Sequence, residues 1–302
     1  MMEIRWRSSP LVSAIHVAYC IAGGRQLTCQ LSEDFRQSCV ELNQLPTAFH
    51  TQAWQFWSEM LTCAGEGLSR GEFAKLLLRR CGVLEQSRPG LLPLVSGLIA
   101  NLELSFAGQF PKFSEEIRLR SQLLEQLWMS YGPGLMHSIG RQTESELIVE
   151  SAQVFVLQPI VGGAGYATLR SNRAYLEGIL ANVQPVLPEY LRLAHLVAQL
   201  DFERPVFSEL IHGYRLPLIA GLSTLPATLR AAEELGLCAV DEKLLTEAVR
   251  LWVLSEHQES PITDAQVLAM TLNTWWETYQ ASRPAWRVAL TALERMIFSA
   301  KN

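Results

Sequence analysis

Apolar side chains recur along this chain at spacings of three and four, the periodicity of helices with one buried face. Ile117, Leu124, Leu127 and Trp128 make one stripe; Tyr190, Leu193, Ala194, Val197 and Leu200 make another. Leu245, Ala248, Val249 and Trp252 form a third, and Trp286, Ala289, Leu290, Leu293 and Ile297 a fourth. Start signals accompany the stripes. Ser69 with Glu72 and Thr143 with Glu146 read as capping boxes, in which the hydroxyl and the carboxylate each satisfy a free amide. Ser32 before Glu33-Asp34, and Ser114 before Glu115-Glu116, put N-cap oxygens and acids where the helix dipole favours them.

Pro46, Gly82, Pro89-Gly90, Gly132-Pro133-Gly134, Pro185, Pro188, Pro205, Pro226, Gly236, Pro261 and Pro284 punctuate the pattern. They leave room for about a dozen helices of ordinary length. Short strands are expected only near Glu3–Trp6 and Gln26–Leu31. The expected fold class is therefore all-α, an irregular helical bundle or a short α-solenoid of helix pairs. "PLVS" at Pro10 and Pro93, and "PLIAGL" at Pro217, hint at a repeat of ~41 residues, within the range of helix-pair repeats. Residues 1–140 and 141–302 read as an N-terminal and a C-terminal helical region packed as one continuous unit.

Composition narrows the function. Of 302 residues 49% are hydrophobic and 18% charged, so disorder is excluded and part of the surface is expected to be covered. A net charge of −5 gives nothing for a nucleic-acid backbone to bind. Cys20, Cys29, Cys39, Cys63, Cys81 and Cys238 lack metal-site spacing and read as free thiols of a reducing compartment. Leu11–Gly24 has the outline of a signal peptide, but His16 interrupts it and Tyr19 makes a poor cleavage site. Ser151–Leu169 is too polar for a membrane span. A cytoplasmic location without a membrane span is the expectation.

The stretch "VFVLQPIVGGAGYATL", Val154 to Leu169, opens an apolar run into glycines. Gly163-Ala-Gly165 supplies the first half of a dinucleotide loop and resembles the opening of short-chain epimerases. Thr168 stands at the third small position, and Asn182-Val-Gln-Pro185 lies where the ribose-binding acid belongs. With a helix expected from the Thr143 box, the glycines read as a hinge between packed helices, and no cofactor is expected.

Gly67-Leu-Ser69-Arg-Gly71 matches a nucleophile elbow in letters, but a helical pattern precedes it and Ser69 already serves as a cap. Glu209 and His212 share a helix face and, with His195, form the one candidate metal set. Trp54, Phe56 and Trp57, and Trp275, Trp276 and Tyr279, cluster at helical spacing. Core packing is the favoured reading, and partner-binding anchors at Trp54, Trp57, Trp275 and Trp276 the functional one. Asp201 and Glu203, in a charged turn, are expected to pair with Arg170, Arg173 and Arg192. The resulting expectation is a non-catalytic adaptor or assembly subunit that binds another protein or a second copy of itself. The alternative is an enzyme, or a small-molecule or metal binder, with a pocket near Glu209 and His212.

Overall fold

The computed structural model describes residues 2–180, 185–257 and 260–298. The chain opens with strand β1 (Glu3–Arg7), followed by helices α1 (Pro10–Ala22), α2 (Glu33–Leu42), α3 (Leu45–Phe49), α4 (Ala53–Ala64) and α5 (Arg70–Arg80). Two long helices come next, α6 (Arg88–Gln109) and α7 (Phe113–Gln142). Strands β2 (Ser151–Leu157), β3 (Gly165–Thr168) and β4 (Arg173–Glu177) then interrupt the helical pattern. The chain closes with α8 (Glu189–Val197), α9 (Pro205–Ser208), α10 (Arg215–Glu234), α11 (Glu242–Ala248), a π-helical segment over 249–254, α12 (Ala265–Ser282) and α13 (Trp286–Phe298).

The fold is 64% helical but not all-α, because the four strands form one mixed sheet in the order β1-β2-β4-β3. β1 and β4 flank β2 in parallel, and β3 closes the edge antiparallel to β4. Five of the seven β2 residues, Ala152 and Val154 to Leu157, are buried, as are all five of β4. A parallel strand covered on both faces has no alternation, so its apolar run is indistinguishable by period from a buried helix. Thr143 accordingly caps no helix start: it ends α7, with its hydroxyl donating to the Ile139 carbonyl. The strand expected at Glu3 is β1, whereas Gln26–Leu31 is irregular and is tied to the glycine loop through Thr28, whose amide donates to the Ile160 carbonyl.

Several breakers do not break. α7 runs through Gly132-Pro133-Gly134, α6 through Pro93 and α10 through Pro226. At Gly132 the Trp128 ring takes the place of a side chain: a Cβ there would stand 2.5 Å from it. The repeated proline motif falls in the first turn of α1, well inside α6 and near the start of α10, so it marks no constant position. Ser69 and Glu72 do form the capping box of α5, and Ser32 precedes α2.

The buried residues form one core cluster from Val12 to Ile297, and β1 carries the start of the chain onto β2. α1, α4, α7 and α8 all touch the sheet. α6 packs on α1, α2 and α5 through Val95, Ile99, Leu102 and Phe106. By length and composition alone, the helical stretch Glu85–Gln109 suffices to cross a membrane, with 22% of its most apolar window buried.

Candidate ligand cavity

The glycine loop lies between β2 and β3, and it is an anion cradle. Ile160 and Val161 donate their amides to Glu177 Oε1 at 2.8 and 2.9 Å. Gly162, Gly163 and Ala164 donate theirs to Oε2 at 2.8, 2.7 and 3.2 Å. φ values of +90° at Gly162 and +123° at Gly163 aim these successive amides at one point, a backbone that L side chains adopt only under strain. The anion is the chain's own, at the end of β4. This corrects the hinge reading: the preceding segment is a strand, and the glycines bind a carboxylate.

His16 on α1 completes the cradle, with Nε2 2.9 Å from Glu177 Oε1. Burial works against charge on both groups. For His16 the Cys20 sulfur and the Glu177 carboxylate outweigh it, and the imidazole is pushed up to about 10. For Glu177 the imidazole and the loop amides outweigh it, and the carboxyl is held down to about 2. Cys20 Sγ stands 3.7 Å from both ring nitrogens but is wholly buried, closed to any substrate.

A second buried cluster surrounds Glu256, just beyond the π-helical segment. Arg25 reaches it with both terminal nitrogens, at 3.0 and 2.5 Å. Arg192 on α8 adds a contact at 3.2 Å and the Gly165 amide another at 3.3 Å. The Arg25 guanidinium also lies over the Tyr19 ring, 5.4 Å from its centre. Two arginines and an amide thus hold one carboxylate, and its pKa falls despite complete burial.

Arg25, Glu256 and His257 form one wall of a cavity of about 280 Å³. The other walls are largely aromatic: Tyr19 from α1, Trp54 and Trp57 from α4, Tyr166 from β3 and Tyr214 just before α10. Tyr19 meets Trp57 and Tyr166 with ring centres 5.8 Å apart in each case, and Tyr166 stacks on Tyr175 at 4.8 Å. The Tyr166 hydroxyl is buried with no hydrogen-bond partner among the described residues. Burial pushes His257 down to about 4, so its imidazole is neutral near pH 7.

The residues singled out from sequence scatter. Trp57, Trp275 and Trp276 are 5%, 3% and 5% exposed, packed as core residues, while Trp54 is 37% exposed at the cavity. Trp275 donates through Nε1 to the Ala289 carbonyl, at 2.8 Å, and stacks on Tyr279. Glu209 and His212 are exposed just after α9, whereas His195 is buried on α8 against Thr224 and Trp252. No three His, Cys, Asp or Glu side chains gather as a metal set among the described residues, so Glu209, His212 and His195 do not form one. Their segment nevertheless borders the cavity, since a Cβ on Gly213 would stand 3.7 Å from the Trp54 ring.

Ser69 follows helix α4, with no strand before it, so the elbow is absent. The charged turn pairs as expected in part. Asp201 meets Arg204, and Glu203 meets Arg170 at 2.9 Å, but Arg173 and Arg192 turn inward to Glu66 and Glu256. Sequence reasoning missed Arg25, Tyr166, Glu177, Glu256 and His257, which come from four separate parts of the chain. The Gly162-Gly163 pair was the one local signal, and it pointed to an anion without saying whose. Comparison with protein-family models, curated proteins and solved structures gives no match.

Proposed function

We propose that this protein binds a small molecule in the cavity between α1, α4, β3 and the start of α10. One observation carries the reading: a cavity of about 280 Å³ whose walls are largely aromatic, from Tyr19, Trp54, Trp57, Tyr166 and Tyr214. Ligand sites are concave and mostly apolar, with a few fixed polar groups. The test is ligand-observed NMR of a mixed fragment set against the protein and against Ala53→Phe, which fills the cavity from an exposed position. Binding lost in the variant supports the reading, and equal binding to both proteins defeats it.

A protein-interaction role is a second reading, favoured by the outer face of α6. No charge occurs from Pro89 to Leu102, and Leu94 and Leu104 are 47% and 76% exposed. Uncharged exposed helix faces suit a partner or a second copy of the chain. Leu94→Glu with Leu104→Glu would then abolish self-association, measured by light scattering, without lowering the melting temperature.

A further inference from the structure

Resting on the small-molecule reading above, we infer that the cavity takes an aromatic carboxylate of one or two rings, its carboxylate held by Arg25. Size sets the first limit. The volume of about 280 Å³ lies at the small end of ligand sites, which run from about 300 to 1,000 Å³. One or two rings with a small substituent fit such a space, and a nucleotide does not.

The walls set the second limit. Tyr19, Trp54, Trp57, Tyr166 and Tyr214 come from α1, α4, β3 and the turn before α10. Flat rings gain most from such surroundings, through offset stacking and edge contacts.

Charge sets the third. Arg25 and Glu256 lie on the cavity wall, and Arg192 meets the same Glu256 carboxylate at 3.2 Å. Two guanidinium groups on one carboxylate leave the cluster one positive charge in excess. The neighbouring ionisable groups do not cancel it. Glu177 is matched by its own His16 cation, and His257 is neutral because burial pushes it down to about 4. Burial raises Glu189, beside Arg192, to about 7, so below that pH it is mostly protonated. The excess repels a cation and draws an anion.

The donors left on Arg25 set the fourth. A guanidinium carries five N–H groups. Arg25 gives one from each terminal nitrogen to Glu256, at 3.0 and 2.5 Å, and makes no other hydrogen bond among the described residues. Its Nε is not among the buried polar atoms that lack a partner, so it keeps accessible surface. Nε–H and the free N–H beside it form a second fork, the geometry that meets both oxygens of a carboxylate. A ligand held there leaves the Arg25–Glu256 pair closed, which spares the cost of breaking a buried pair. Arg192 and the Gly165 amide offset the repulsion that Glu256 would otherwise exert on a second carboxylate. An uncharged ring would leave both the fork and the excess charge unanswered.

The experiment titrates the full chain by calorimetry with 1-naphthoate, 1-naphthalenemethanol and 1-naphthylmethylammonium, which share one ring system and differ in charge. It is run at pH 6, below the value of Glu189. The expected result is saturable binding of 1-naphthoate, at least tenfold tighter than the alcohol, no binding of the ammonium, and loss of binding in Ala53→Phe. Arg25→Lys keeps a cation on Glu256 but has no second fork. It should weaken 1-naphthoate about tenfold and leave the alcohol unchanged. Should that variant fail to fold, the preference of the parent chain for 1-naphthoate over the alcohol decides alone. Equal or tighter binding of the alcohol, or any preference for the ammonium, overturns the anion while leaving the cavity reading intact. No binding of any of the three also overturns the class, and the fragment experiment then decides the cavity separately. Unchanged 1-naphthoate affinity in a folded Arg25→Lys overturns the assignment of the carboxylate to Arg25.

Discussion

His16 and Glu177, 161 residues apart, meet at 2.9 Å in an ion pair that is wholly buried. A buried pair is rarely stabilising on its own, because two charges must leave water. Here the carboxylate also receives five backbone amides from residues 160–164, in the turn between β2 and β3. The pair therefore fixes three things at once: α1 against β4, the turn from β2 to β3, and through Gly165 the position of Glu256.

Glu177→Gln keeps the shape of the side chain but offers one acceptor where two are used, and it leaves the His16 cation unpaired. Breaking a buried pair in this way costs about 3–5 kcal/mol. Urea denaturation should show that loss. Glu177→Ala should lose a similar amount and regain part of it with added formate, which fits the emptied cradle. A midpoint unchanged in Glu177→Gln would mean that the loop stands without its anion.

The same cradle predicts that dinucleotides do not bind. The amides that a pyrophosphate would need are already committed to Glu177. Titration with NAD or NADP should leave the melting temperature where it is, whereas a ligand at 100 times its Kd would add about 2.7 kcal/mol. A clear upward shift would show that the carboxylate can be displaced.

Stability should fall below neutral pH. Burial pushes His195 down to about 3 and His257 down to about 4, from 6.5. Below pH 6.5 the unfolded chain takes up protons that the folded chain refuses. Stability fully present above 6.5 is therefore lost as pH falls through about 4. Glu189 opposes this: burial raises it from 4.5 to about 7, so its contribution is full below 4.5 and lost as pH rises through about 7. His16, raised to about 10, opposes it too, while the lowered Glu177 and Glu256 act with the two depressed histidines, so the urea midpoint should be lower at pH 5 than at pH 7. His195→Gln should flatten that difference and Glu189→Gln should steepen it; a midpoint higher at pH 5 in the parent chain would contradict the assignment.

The helices were legible where a local rule fixed them. Leu193, Ala194 and Val197 on α8 and Leu290, Leu293 and Ile297 on α13 are buried, as their spacing predicts. β2 was not legible, because Val154, Phe155, Val156 and Leu157 are all buried and alternation is lost from Val154 onward. Gly162 and Gly163 announced an unusual backbone, but the anion that explains it lies 14 residues beyond Gly163 and looks like any other glutamate in sequence. Arg25 and Glu256 are 231 residues apart, and no pattern along the chain connects them. Aromatic spacing found the rings but not which of them meet a cavity.

Ser69→Ala should remove the α5 capping box, in which Glu72 donates its amide to Ser69 Oγ and its carboxylate accepts from the Ser69 amide. The expected cost is on the order of 1 kcal/mol, read from the urea midpoint. A fluorophosphonate should leave Ser69 unlabelled in the native protein, since nothing activates the hydroxyl beyond its bond to Glu72. Labelling that disappears on denaturation would reopen the hydrolase reading.

The tryptophans separate packing from binding. Trp275 and Trp276 are almost fully buried, and Trp275 stacks on Tyr279 and meets Trp286 edge-on. Exchange of either for Ser removes a core ring, for which about 3–5 kcal/mol is the usual cost, and soluble yield should fall with it. Trp54 is 37% exposed and lies against the turn at Gly213, so Trp54→Ser should shift the urea midpoint by little, within about 0.5 kcal/mol. Its effect should appear in ligand binding instead, because the ring forms part of the cavity wall and a flat ligand loses one stacking face. Fragment binding to the cavity should therefore weaken in Trp54→Ser while the melting temperature holds. Should the stability loss at Trp54 equal that at Trp275, the ring is packing rather than wall, and the cavity loses its outer face as a binding element.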